Sequence, residues 1–247
     1  MASVNRVYST LKGLVNKDQK GFVTPSIFNE FASVAQMNIY NRLFDEERNA
    51  LRFRRAGLDT GRDFSKDKQI KEDLAVFVKK ANLTKSGATF VKPSDLGRIV
   101  SMRTASNFVL DDYNGNQISI LYNQDDIDRV LSSSLSRPTT DNPVALVSSD
   151  IEIFPTTVGS ISLRYYKLPE GLNPTTGAKV ASQPSFGYST AVPGVELYSP
   201  SSSVDFELPE NYYVDLVVEI AQLIGINLRD ADVVNYASVE KAKEENK

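Results

Sequence analysis

The sequence has no cysteine and no histidine. Without thiolates it cannot build disulfides, cysteine-ligated zinc, iron–sulfur clusters or a thiol nucleophile. Without imidazole it cannot build a Ser-His-Asp or Cys-His pair, an H-E-x-x-H metal site or a histidine-ligated haem. No apolar run approaches the length of a membrane span. The opening stretch MASVNRVYSTLKGLV is too polar for a secretory signal. The expectation is a protein made in the cytoplasm, soluble and without a membrane partner. Neither G-x-x-x-x-G-K-[ST] nor G-x-G-x-x-G occurs, so nothing announces a phosphate cradle. Carboxylate, lysine, serine and tyrosine chemistry remain open.

What is present is an ordinary soluble composition. Hydrophobic residues make up 41% and charged residues 24% of 247, enough to bury a sizeable core. The formal charge of -3 argues against a dedicated DNA binder, which carries net positive charge, but leaves room for a local basic patch.

The chain reads as helices, then strands, then helices. Val4, Val7, Leu11 and Leu14 form a helical stripe over residues 4–15. Thr24-Pro25 opens a second helix, with threonine as cap and proline where its missing N–H costs nothing. An apolar face from Ile27 through Val34 to Phe44 continues it, and a charged run carries it toward Gly57. Residues 57–66 read as a loop and 67–80 as a third amphipathic helix. From Ala88 onward come short runs rich in valine, isoleucine and phenylalanine: 88–91, 97–104, 107–110, 117–122, 144–148, 150–155 and 160–166. The Asn114-Gly115 pair favours a hairpin turn between 107–110 and 117–122. Residues 125–135 read as a short helix. Residues 169–205 are rich in Pro, Gly and Ser and read as a long loop with short strands at 195–198 and 204–208. Pro209 starts the most apolar helix, which Gly225 ends or bends, and a charged helix closes the chain.

The expected fold class is α+β. N- and C-terminal helices, from 1–82 and 206–247, form a helical module. An antiparallel β-rich module, 83–205, is inserted between them.

Individual motifs carry little chemistry. Asp59-Thr60-Gly61 matches the aspartic-protease triplet but has no second copy, and that chemistry needs two carboxylates. Asp111 to Gly115 resembles the start of a calcium loop, yet its glycine falls too early. Asn82-Leu83-Thr84 fits a glycosylation acceptor without a secretory context. The arginines Arg48, Arg52, Arg54, Arg55 and Arg62 cluster; they are either a helix face balanced by Asp45, Glu46 and Glu47 or a patch facing DNA or a neighbouring subunit. Tyr40, Tyr122, Tyr165, Tyr166, Tyr212 and Tyr213 suit either interface anchors or half-buried positions.

Several segments, in order, resemble one family. These are Val4-Asn5-Arg6-Val7-Tyr8; the run Asn16-Lys17-Asp18-Gln19-Lys20-Gly21-Phe22-Val23-Thr24-Pro25 with Phe28-Asn29; and Arg137-Pro138-Thr139-Thr140 with Asn142-Pro143-Val144. Residues 151–155 and 161–169 follow, and then Leu208-Pro209 through Ile224-Gly225-Ile226-Asn227-Leu228-Arg229-Asp230. Together they resemble the head-to-tail connectors of tailed phages, and most of all the ring or adaptor proteins of crAss-like phages. The likeness touches most of the chain outside 169–205.

The resemblance implies a non-enzymatic virion component at the head–tail junction. It would form a homo-oligomeric ring, commonly dodecameric, beneath the portal protein and extend the DNA channel. Other ring or tail proteins, tail fibres and passing genomic DNA would be its neighbours. No catalytic residue, cofactor or metal is expected. By the same likeness Val233, Tyr236 and Val239 would dock the C-terminal segment on the portal. Phe186, Tyr188 and Tyr198 are the expected anchors on another subunit or tail protein, and the arginine cluster is the candidate channel or subunit patch. A tail-tube or fibre-docking protein is the alternative. A carboxylate-based cell-wall hydrolase is a third, and would need two carboxylates about 5–9.5 Å apart.

Overall fold

The computed structural model describes residues 1–17, 23–55, 61–104, 115–192 and 195–227. In chain order the elements are α1 (Val4–Lys17), α2 (Pro25–Arg55), α3 (Gly61–Ala75), β1 (Val78–Thr84), β2 (Leu96–Thr104), β3 (Ser119–Leu121), α4 (Gln124–Ser132), β4 (Val144–Val147), β5 (Ile151–Phe154) and β6 (Ser160–Lys167). There follow β7 (Gly171–Leu172), β8 (Lys179–Val180), β9 (Tyr188–Val192), β10 (Val195–Tyr198), β11 (Asp205–Phe206) and α5 (Tyr213–Asn227). The fold is α+β, with helices at both ends of the described chain and small, mostly antiparallel sheets. Among the described residues no helix is long and apolar enough to cross a membrane.

The chain divides into two compact units. One is discontinuous, Met1–Val76 with Pro169–Lys247; the other is the insert Phe77–Leu168. The helix expected over 67–80 ends at Ala75. Val76 and Phe77 turn the chain, and Val78 enters β1, where pairing with β6 overrides helical periodicity. At its other end α3 begins at Gly61, inside the stretch read as a loop.

The discontinuous unit is built on four helices, α1, α2, α3 and α5. Along α1, Val4, Val7, Tyr8 and Leu11 are buried, while Leu14 is exposed. Thr24 Oγ1 accepts from Ile27 N (3.3 Å), capping α2, and Pro25 is its first residue. Phe28, Ala32, Ala35, Ile39 and Leu43 bury one face of α2; Val34 points away from that face and is exposed. α5 contributes Leu216, Val217, Ile220 and Ile224. It runs on through Gly225 to Asn227. Gly225 is buried within the helix and does not end it.

Polar ties cross the helix contacts. Arg42 reaches Asp215 (2.6 Å), and Asn38 Nδ2 donates to Glu219 (2.9 Å). Tyr212 OH donates to Asp73 (2.6 Å), and Arg6 pairs with Glu210 (2.8 Å). At the centre lies Glu207, fully buried. It accepts from Glu170 N (2.9 Å) and meets Lys179 Nζ (2.9 Å), while its own N–H donates to Gln36 (2.9 Å). Gln36 in turn donates to the Glu170 carbonyl (2.8 Å). Glu207 is buried while Lys179 is half-exposed, so losing these partners would leave a buried carboxylate uncompensated, and the network favours one arrangement of α2 against this part of the chain.

The inserted unit holds two three-stranded sheets, ordered β1-β6-β2 and β3-β4-β5. β3 pairs with β4 in parallel, an exception to the antiparallel rule. The hairpin expected between 107–110 and 117–122 lies partly outside the described residues; on the described side, Gln117 bridges to Arg103. Phe90, Met102, Ile118, Ala145, Ile151, Ile153, Ile161, Leu163 and Tyr165 form the core. On the other face of β3-β4-β5, α4 covers a smaller cluster of Ile127, Val144 and Leu146. Asn123 caps α4 by accepting from Asp125 N (3.3 Å).

Candidate functional site

Residues 169–205 are not one loop. They supply β7 to β10 and pair with β11, all within the discontinuous unit. Two of their glycines sit where backbone segments approach closely. A Cβ on Gly171 would strike Val204, and one on Gly187 would strike Ser202. These glycines let backbone segments lie close together.

Phe186 sits at the base of the β9–β10 ribbon. Its ring stacks on Tyr8 (4.3 Å between centroids) and near Tyr198 (5.4 Å). Asn29 clamps its backbone from α2, donating to the Phe186 carbonyl (3.2 Å) and accepting from its N–H (2.6 Å). Phe186 is therefore 4% exposed. The expected outward anchor is a core residue, because the aromatic pair it completes lies on α1, far away in sequence. Tyr198 is half-buried against the same stack. Tyr188 is the outward member of the expected trio, 44% exposed, and Leu197 beside it is 46% exposed.

Charge ties the ribbon down. Tyr8 OH donates to Glu196 (3.0 Å) and approaches the Val23 carbonyl (3.0 Å), and Lys12 lies 3.8 Å from Glu196. Burial, then the Glu196 carboxylate, pushes the Tyr8 hydroxyl well above the ordinary tyrosine range, so it remains a donor. Ser203 Oγ accepts from Gly187 N (2.9 Å) and donates to the Ser199 carbonyl (2.7 Å), fixing the return of the chain. Among the described residues no third strand pairs with β9 or β10.

The arginine cluster is placed only in part. Arg48 is exposed and pairs with Asp45 (3.4 Å), a short-range helix pair. Arg52, Arg54 and Arg55 lie on the last turns of α2 and Arg62 at the start of α3, but their side chains are outside the described residues. Val233, Tyr236 and Val239 also fall outside them, as do Asp59 and residues 111–114.

Among the described residues the inserted unit carries a titratable network around Asp95. Asp95 accepts from Lys79 (2.6 Å) and from Tyr165 OH (2.8 Å). Burial raises the Asp95 carboxyl, but these two hydrogen bonds outweigh it and the net shift is downward. Burial, then Asp95, lifts Tyr165 to about 12. Each carboxylate oxygen takes one of these bonds, so the trio joins β1, β6 and the turn before β2. A cleft of about 460 Å3 opens beside β3 and α4. Leu121, Val130 and Val144 line its floor and Ser136, Arg137 and Asn142 its rim. Among the described residues no carboxylate lines it. Among the described residues no group of three acidic side chains could hold a metal.

No protein-family model and no curated protein matches this chain.

Proposed function

We propose that this chain is a structural protein of a tailed-phage virion. It assembles into an oligomeric ring between the portal vertex and the tail and extends the DNA channel. The sequence likeness to head-to-tail connectors supplies the starting point. The observation that carries it further is the β9–β10 ribbon. It is anchored at its base by Tyr8, Phe186 and Asn29, has no third strand paired to its edges among the described residues, and presents Tyr188 and Leu197 to solvent. Soluble monomers cover or blunt such edges, whereas an assembling subunit uses them for strand addition or apolar contact. A ring needs one surface that docks on a different surface of the next copy, and a ribbon held from one end suits that asymmetry.

Mass photometry and negative-stain imaging of the purified full chain test the reading, alone and with portal protein. Rings are expected. The double substitution Tyr188→Asp, Leu197→Asp should leave folded monomers. A wild-type chain that stays monomeric under both conditions, or rings indifferent to the double substitution, would overturn it.

A further inference from the structure

We propose that the cleft beside β3 and α4 is a docking site for an extended segment of a partner protein, one that carries an aliphatic side chain and, about two residues away, a carboxylate. Its floor is the edge of a core. Ser119 and Leu121 of β3 point to one face of the β3-β4-β5 sheet with Val144 of β4, while Ile120 turns to the larger core. On that face Ile127 and Val130 of α4 pack with Val144 and Leu146. The helix stops at Ser132, and Leu121 and Val130 remain half-buried where the cleft begins. An apolar floor inside a polar rim is the pattern of a contact surface.

Two side chains at the mouth are presented outward. Leu135 lines the cleft and is 99% exposed. Local bonds hold it there. Ser133 Oγ accepts from Leu135 N (3.3 Å) and from Ser136 N (3.2 Å). Further along, Thr139 N donates to the Asn142 carbonyl (3.3 Å), and Thr139 Oγ1 accepts from Asn142 N (3.2 Å). Asn116 Nδ2 ties the Thr140 carbonyl (3.0 Å). The connector from α4 to β4 is thus a bonded frame that displays its leucine. Arg137 is the second side chain. It is exposed and has no hydrogen-bond, ion-pair or ring partner. Pro138 keeps the Arg137 backbone extended, which limits how the guanidinium can fold back. Asp141, on the same connector, neither lines the cleft nor pairs with Arg137.

These features select the occupant. An unpaired guanidinium beside apolar ground complements a carboxylate carried by an apolar body. A volume of about 460 Å3 corresponds to a span of roughly 8 Å, or about two residues of extended chain. The aliphatic side chain and the carboxylate therefore belong to neighbouring positions of one strand-like segment. Nucleic acid fits poorly, because among the described residues no aromatic ring lines the cleft to stack a base. An enclosed small molecule fits poorly too. Every described polar side chain that lines the cleft is exposed, and none is buried to fix an orientation. A side chain from another polypeptide, pressed between Leu135 and the floor with its acid on Arg137, satisfies all of these groups.

The cleft belongs to the inserted unit and the β9–β10 ribbon to the other, so peptide binding and ring formation are scored separately. The test follows fluorescence anisotropy of a capped, labelled peptide, Gly-Ser-Ser-Leu-Ser-Glu-Ser-Ser-Gly, titrated with the full chain. Saturable binding is expected. Replacing the peptide's leucine by alanine should weaken it about tenfold or more, the loss of one buried aliphatic side chain. Replacing its glutamate by glutamine should weaken it about twofold to fivefold, as an exposed ion pair does. Arg137→Gln should cost the same factor against the glutamate peptide and nothing against the glutamine peptide, a coupling that general loss of folding would not give. Leu135→Ser should weaken binding at an unchanged thermal midpoint, and Ser136→Lys, which adds a cation at the rim, should tighten it about twofold to fivefold. Four results would overturn the proposal: no saturable binding; a lysine peptide binding as well as the glutamate peptide; binding unchanged in both Arg137→Gln and Leu135→Ser; or a peptide of residues 228–247 of this chain taking the cleft more tightly, which would make the occupant a second copy.

Discussion

Replacing Phe186 by alanine distinguishes a core residue from an interface anchor. Its ring is 4% exposed and packs against Tyr8 at 4.3 Å and Tyr198 at 5.4 Å, and Asn29 holds its backbone on both sides. Truncating a buried phenylalanine costs about 3–5 kcal/mol, through lost burial and the cavity left behind. The two ring pairs place it toward the upper end, since each aromatic pair adds about 0.5–1.5 kcal/mol beyond its area. Against a total stability of about 5–15 kcal/mol this is a large fraction. For a unit of this size the thermal midpoint should fall by roughly 6–20 °C. The assay is urea and thermal unfolding followed by circular dichroism, at a protein concentration low enough that only monomer is present. Tyr188→Ala, on the same ribbon but exposed, is the control and should stay within about 0.5 kcal/mol of the parent. If Phe186→Ala leaves monomer stability unchanged while abolishing assembly, the aromatic stack does not hold the ribbon and the burial argument fails.

Two carboxylates should respond to acid in opposite directions. Asp95 is depressed in the fold, so its stabilisation is present above the ordinary carboxylate range and is lost as pH falls through its folded value; Asp95→Asn should cost about 1–2 kcal/mol at pH 7 and flatten that acid limb of the stability profile. Asp205 is raised, by burial first and against the Val4 N–H that it accepts at 2.7 Å, so its contribution is greatest below the unfolded value and is lost as pH rises through the folded one. Asp205→Asn keeps an acceptor for Val4 and removes the buried charge, so urea midpoints at pH 7 should hold or rise; a clear fall would show that the ionised form is needed. A chain ending at Arg229 should keep its thermal midpoint and lose co-sedimentation with portal rings, and normal joining would refute docking through Val233, Tyr236 and Val239.

The elements legible in the sequence were those fixed by local rules. Thr24-Pro25 marks a helix start wherever it lies, because cap geometry involves only the next few residues. The apolar run after Pro209 marks a buried helix for the same reason. Long-range features were not legible. Phe186 reads as a loop aromatic until Tyr8 and Asn29 are brought beside it. Glycines at 171 and 187 read as flexibility, although they serve close backbone approach to Val204 and Ser202. The Val76–Thr84 run could have been read as a strand from its valines and phenylalanine, but the helical period of the preceding residues masked it. That Arg98 and Arg103 share a face of β2 is invisible to a period-two count, since only the ladder to β6 reveals the irregularity between Ile99 and Ser101. Site residues suffer most, because an anchor and a core aromatic have the same composition and differ only in what surrounds them.

The discontinuous unit has a consequence for synthesis. α1 is made first, yet Val4 N donates to Asp205 and Ala2 N to the Leu208 carbonyl, partners about 200 positions later. At roughly 5–20 residues per second the ribosome needs roughly 10–40 s to deliver them. Throughout that interval the stripe of Val4, Val7 and Leu11 has no covering surface from α5, whereas the insert 77–168 contains every strand of its own two sheets once residue 168 is added, before α5 is made. The middle of the chain can therefore reach its native pairing before the beginning does, and the nascent N-terminal helices are the segment most exposed to capture by cellular chaperones or by other copies on the same message.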